Sequence, residues 1–132
     1  MIVRLYTDNV AWMCCASFFV VIGHIFPLYF GFKGGKGVAT AVASVAALPH
    51  GWIIAIILMI IFLPIVYFTK TVSLSVLTAT ATYPIWVYIF TDGNMANFIY
   101  SFIIVALIFI THRANIVRLV QGNENKIGGK KE

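Results

Sequence analysis

The sequence predicts an all-α integral membrane helix bundle, and three observations predict it. The first is composition: 61% of the 132 residues are hydrophobic and only 10% are charged, with a mean hydropathy of +0.98. A soluble domain carries about 45–50% apolar and about 25% charged residues. The second is arrangement. The apolar residues fall into five runs at 11–30, 37–49, 52–68, 71–90 and 96–111. The third is the location of charge, which is confined almost wholly to the breaks between runs and to the C-terminal end.

The runs justify their elements in order. Residues 11–30 are long enough for a full crossing, which takes roughly 20 apolar residues. The run 37–49 is short and rich in Ala, Val and Ser; a helix there rises about 24 Å or less at 1.5 Å per residue, below the ~30 Å hydrocarbon core. Its small side chains suit close packing inside a bundle. Runs 52–68, 71–90 and 96–111 complete five predicted crossings. Pro27, Pro64 and Pro84 fall within spans and are expected to kink them; neighbouring helices can satisfy the carbonyls that proline frees. The sequence reads as one membrane domain over 1–132, with 122–132 as a cytoplasmic C-terminal tail and no internal repeat. The N-terminus lacks the short apolar core followed by small residues that marks a cleavable signal peptide.

Charge orients the bundle. The formal net charge is +5, and cations concentrate on cytoplasmic loops. Five crossings place Lys33, Lys36, Lys70, Arg113, Arg118, Lys126, Lys130 and Lys131 all on the cytoplasmic side, with Asp92 outside; four crossings strand one of the clusters. No nucleic-acid partner is expected of cations placed this way. Cys14 and Cys15 are adjacent within an apolar run. They have no ligand spacing, so they read as packing residues and no metal site is predicted.

Two stretches carry chemistry. In "FKGGKGVAT", consecutive glycines and two lysines precede a helix that starts near Gly37. Glycine-rich backbone can converge N–H groups on an anion, and a helix N-terminus adds free donors and partial positive charge. Lys33, Gly34, Gly35, Lys36 and Gly37 thus form a candidate phosphate site. The other reading is a flexible turn whose lysines enforce topology. No P-loop pattern is present. His24 lies just upstream, either orienting this loop or touching a ligand, since ionisable residues within spans are functional candidates.

The second stretch is "THRANIVRLVQGNENKIGG". His112 and Asn115 share a helical face with Leu119, suggesting a wet pocket. His112 could act as a general base or bind an oxyanion. Arg113 and Arg118 could clamp a phosphate bidentately. Gly122 ends the helix, and Glu124 is the one acid of the loop that follows. The alternative is a basic helix held by anionic lipids.

With these residues in view, "GHIFPLYFGFKGGKGVAT" and "HRANIVRLVQGNENKIG" resemble the second and third signature motifs of the bacterial acyl-phosphate:glycerol-3-phosphate acyltransferases, the PlsY family. The resemblance implies a seven-helix membrane fold, of which about five helices are here, in the bacterial cytoplasmic (inner) membrane with the active site facing the cytoplasm. It implies transfer of an acyl chain from acyl-phosphate to the sn-1 hydroxyl of glycerol 3-phosphate, giving lysophosphatidic acid for phospholipid biosynthesis, without nucleotide, metal or CoA. The implied partners are glycerol 3-phosphate, acyl-phosphate, membrane lipids and the soluble enzyme that makes acyl-phosphate. The resemblance carries glycerol 3-phosphate binding onto Lys33, Gly34, Gly35, Lys36 and Gly37, and the catalytic pocket onto His112, Arg113, Asn115 and Glu124. The family's first motif, of the form GSIP…GSGN, has no counterpart, so the chain is expected to be N-terminally incomplete. An inactive truncated membrane fragment and a subunit of an organic-phosphate transporter are the alternatives.

Overall fold

The computed structural model describes residues 9–26 and 36–128. They fold into six helices: α1 (Val10–Ile25), α2 (Val38–Ala46), α3 (Gly51–Thr69), α4 (Val72–Phe90), α5 (Met95–Thr111) and α6 (Arg113–Val120). The first five sit on the five predicted apolar runs, and no strand occurs among the described residues. Helices α3 and α4 are each long and apolar enough to cross a membrane, and α5 with α6 forms a third candidate span broken by a 64° bend. Helix α1 is apolar but shorter, at 16 residues, and α2 has 9.

Local chemistry sets the helix ends. The side chain of Asn9 accepts from the Ala11 N–H, and that of Asn94 accepts from the Asn97 N–H, satisfying donors that a helix start leaves free. Lys70 closes α3 in the left-handed region, and Thr71 opens α4 one residue later. Consecutive helices pack side by side: α1 on α2, α2 on α3, α3 on α4 and α4 on α5, with α5 returning to α1.

The core collects one face of each of the helices α1 to α5, including Val21, Val45, Ile54, Tyr83, Val87, Ile104 and Ile108. The opposite faces are apolar as well: Trp12, Phe19, Trp52, Ile60, Tyr67, Phe68, Ile85 and Phe102 are all exposed. A surface this apolar has a place only in lipid. Polar side chains in the spans turn inward. The Cys14 thiol donates to Asn97 Oδ1 at 3.3 Å, and Ser44 Oγ lies 3.3 Å from the Tyr100 hydroxyl. These bonds tie α1, α2 and α5 together where no water can satisfy them. Cys14 is therefore more than filler, whereas Cys15 faces outward. The ends of the helices that carry Lys36, Lys70 and His112 gather at one end of the bundle. There Thr111 Oγ1 reaches the Lys36 carbonyl at 3.2 Å, and the Ile127 N–H reaches the Lys70 carbonyl at 2.7 Å.

Candidate functional site

His112 stands at the corner between α5 and α6. It closes one helix, opens the next and is 2% exposed. Its backbone N–H bonds Ile108 O, and its ring Nδ1 lies 2.9 Å from the same carbonyl. A carbonyl only accepts, so Nδ1 carries the proton and Nε2 of the neutral ring is left as an acceptor. Thr111 Oγ1, 3.3 Å from Nδ1, also approaches the Lys36 carbonyl. One hydroxyl thereby links the end of the glycine-rich segment to the imidazole. Burial pushes the His112 pKa down and the nearby Lys36 charge adds to that, outweighing the opposing effects of the Ile108 bond and Glu124. The ring is held neutral at ordinary pH.

Gly37 precedes α2 at φ +75°. A β-carbon there would lie 2.8 Å from Ile25 Cγ1 and 2.9 Å from its Cδ1. Glycine is required both by the left-handed backbone and by the close approach of α1. The Gly37 requirement is thus conformational. Pro27, Lys33, Gly34 and Gly35 lie outside the described residues.

The C-terminal loop folds back through Glu124. Its Oε1 accepts from Ser73 Oγ and Asn115 Nδ2, each at 2.6 Å, and its Oε2 accepts from Arg118 Nε at 2.9 Å. The Glu124 side chain is only 6% exposed. Burial pushes its carboxyl upward, but the bonds from Ser73, Asn115 and Arg118 and the Arg118 charge prevail and hold the pKa below the ordinary carboxylate value. A carboxylate with a lowered folded-state pKa contributes its full stability above the ordinary carboxylate range and loses it as pH falls through the lowered value. Melting temperature should therefore drop on acidification below that range. Glu124→Gln should be less stable near neutrality and should lack this part of the acid-induced drop. Parallel melting-temperature curves for the two proteins would disprove the assignment.

Helices α2, α3 and α4, the α5–α6 corner and the returning loop line a half-open cavity of about 840 Å³, whose wall includes the exposed residues Ala39, Ala43, Met59 and Val72. Its wall at the basic end carries Lys36, Ser73, His112, Asn115, Arg118, Glu124 and Lys126. The rest is mostly apolar: Val38, Val42, Ala43 and Ala46 from α2, Leu58, Met59 and Phe62 from α3, and Val76 and Ala79 from α4, with Thr80 as the polar exception on the helices. The space thus fits a molecule with an anionic head and a hydrocarbon body.

Of the residues singled out in the sequence, Lys36, His112, Asn115, Arg118 and Glu124 meet at this cavity. Arg118 is engaged by Glu124 through Nε and keeps its terminal nitrogens for other partners. Arg113 is exposed and lies outside the cavity wall, and His24 is exposed on the last turn of α1, also outside it. Ser73, Thr111 and Lys126 were not singled out from sequence. The signal for Ser73 was a hydroxyl in the first turn of an otherwise apolar helix; Thr111 and Lys126 lie inside the second stretch, where Lys126 counted only among the cytoplasmic cations.

Comparison with known proteins bears on this geometry. A family model described as glycerol-3-phosphate acyltransferase matches residues 1–122. The chain is 38% identical over 130 residues to a glycerol-3-phosphate acyltransferase of Francisella tularensis subsp. novicida, covering 98% of this chain and 61% of that protein. It is 38% identical over 128 residues to that of Francisella philomiragia, covering 96% and 60%. The crystal structure of PlsY (YgiH), an integral membrane glycerol 3-phosphate acyltransferase, in its glycerol 3-phosphate form superposes with a TM-score of 0.75 at 37% identity. That match covers 82% of this chain and 52% of the other. The lysophosphatidic acid form of the same protein matches equally, covering 54% of that chain. The chain spans about three-fifths of the length of the curated relatives it matches.

Proposed function

The chain belongs to the glycerol-3-phosphate acyltransferase family, and on that premise we propose that it transfers an acyl chain from acyl-phosphate to the sn-1 hydroxyl of glycerol 3-phosphate. The products are lysophosphatidic acid and inorganic phosphate. The observation that carries the reading is the two-part cavity, cationic at one end and apolar along its body. An acyl-phosphate has that same division, and so does the lysophosphatidic acid product.

The reaction needs positioning more than activation, because the mixed anhydride is already reactive. The glycerol hydroxyl oxygen attacks the acyl carbonyl carbon, a tetrahedral oxyanion forms, and its collapse expels phosphate. Lys36, with the glycine-rich residues before it, holds the phosphate of glycerol 3-phosphate. His112 presents Nε2 to the hydroxyl and receives its proton, the buried and neutral ring being suited to a base. Asn115 is held by Glu124 through one amide hydrogen, and its second amide hydrogen can donate to the oxyanion. Arg118 and Lys126 offset the charge of the leaving phosphate. The basic end of the bundle faces the cytoplasm of a bacterial inner membrane, in keeping with the excess of cations there.

The test is Lys36→Ala in the full-length protein, assayed for lysophosphatidic acid formation in membranes without endogenous acyltransferase. A charge-assisted phosphate contact contributes about 1.5–3 kcal/mol. The KM for glycerol 3-phosphate should rise tenfold or more on that basis, with a smaller effect on the KM for acyl-phosphate. Unchanged kinetics at normal expression would remove Lys36 from the site.

A further inference from the structure

The apolar part of the cavity has a definite end. On α2 the residues that line it run from Val38 to Ala46, and on α4 from Val72 to Thr80. Each stretch advances eight residues away from the basic end, about 12 Å at 1.5 Å per residue. Helix α3 runs the opposite way, so its lining residue farthest from that end is Leu58. Ala46, Leu58 and Thr80 therefore form the deepest layer, one residue from each wall. Past it the neighbouring side chains are packed, Leu48, Ile54 and Tyr83 being 5%, 2% and 2% exposed, and the space that adjoins Leu58 and Thr80 there shrinks to a cavity of about 30 Å³. Within the layer Ala46 presents a single methyl group where its neighbours present larger side chains.

We infer that the layer of Ala46, Leu58 and Thr80 sets the length of acyl chain that the site accepts. This inference rests on the acyl-transfer reading above. Methylenes short of the layer pack against the cavity wall. Those beyond it must bend back or displace packed side chains. The donor arrives from lipid, which is as apolar as the cavity, so the discrimination is this steric cost, roughly fivefold or more, and a layer moved by one or two methylenes changes selectivity visibly. The competing route is lateral. Met59 lines the same cavity and is 43% exposed, so a chain that slipped out past it into lipid would never meet the layer.

The experiment gives the full-length protein an equimolar ladder of saturated acyl-phosphates with glycerol 3-phosphate, and counts the lysophosphatidic acid products by mass spectrometry. Partition of the donors into the bilayer is common to all variants and cancels between them. Ala46→Leu and Thr80→Leu should each move the preferred length to shorter chains, with the longest donors losing roughly fivefold or more. Leu58→Ala should move it to longer chains. If one leucine variant fails to accumulate, the other with Leu58→Ala gives opposite shifts; if Leu58→Ala fails, the two shortenings carry the test. An unchanged length distribution in all accumulating variants overturns the inference, as does a distribution that responds to Met59→Trp and to none of the three. Failure of the wild-type protein to make lysophosphatidic acid from any donor would strike at the acyl-transfer reading itself, and would be told apart by total product rather than by its distribution.

Discussion

Replacing His112 with alanine should lower kcat by about 10²–10⁴-fold, the range that a positioned general base contributes, while leaving the KM for glycerol 3-phosphate within a few fold. The ring is held at one nitrogen by the Ile108 carbonyl and faces the cavity with the other nitrogen unprotonated. Its removal takes away the proton acceptor without touching Lys36. Because the folded-state pKa lies below the ordinary histidine value, the acid limb of the wild-type kcat/KM profile, which reports the free enzyme, should fall below that value. The limb should vanish in His112→Ala, and exogenous imidazole should restore part of the rate. The outcome also separates two chemistries. A loss of tenfold or less, with the acid limb intact, would assign the proton to a substrate phosphate and leave His112 a hydrogen-bonding role. Melting temperatures must accompany the rates, since the lost Nδ1 bond is worth about 1 kcal/mol of stability by itself.

The second large effect is on folding. Gly51 begins α3 directly after the turn from α2, and a β-carbon there would overlap the Val45 carbonyl oxygen and stand 3.4 Å from Leu48 Cβ. The Val45 oxygen is fixed in turn by the Leu48 N–H at 3.0 Å, and the Gly51 N–H bonds Leu48 O at 2.9 Å. Overpacking against side chains costs about 1–3 kcal/mol. Here the obstacle is backbone, which cannot swing aside without parting α2 from α3, so Gly51→Ala should cost about 3 kcal/mol or more on that scale. The cavity lies between those two helices, so activity should fall with stability. Thermal unfolding and membrane accumulation provide the readout. A Gly51→Ala protein with wild-type melting temperature would mean that the turn can reopen without loss. Gly93, with open space around the place of its absent side chain, is the control: substitution there meets only the cost of its left-handed backbone, about 1 kcal/mol.

Much of this protein was legible in its sequence because the membrane imposes simple rules on a chain. A helix must be apolar for most of its length, so the runs announced α1 to α5 to within a few residues. Helical period placed His112 and Asn115 on one face, and the structure buries both. The two glycine- and histidine-bearing stretches were distinctive enough to name a family. Local rules of this kind act over a few residues and can be read along the chain.

Tertiary packing decided what joins residues far apart. Glu124 meets Ser73 across 51 positions, and Thr111 meets Lys36 across 75; no periodicity relates such pairs. The sequence offered Arg118 as a free phosphate clamp, and only the returning loop put a carboxylate on its Nε. Gly51 looked like an ordinary turn residue until the Val45 carbonyl was seen against it. The depth of the cavity depends on how far α2, α3 and α4 stand apart and on which turn of each closes the gap. Those are properties of three surfaces fitted together. Hydropathy along a chain says which surfaces will be buried, but the shape left between them is set by packing once they meet.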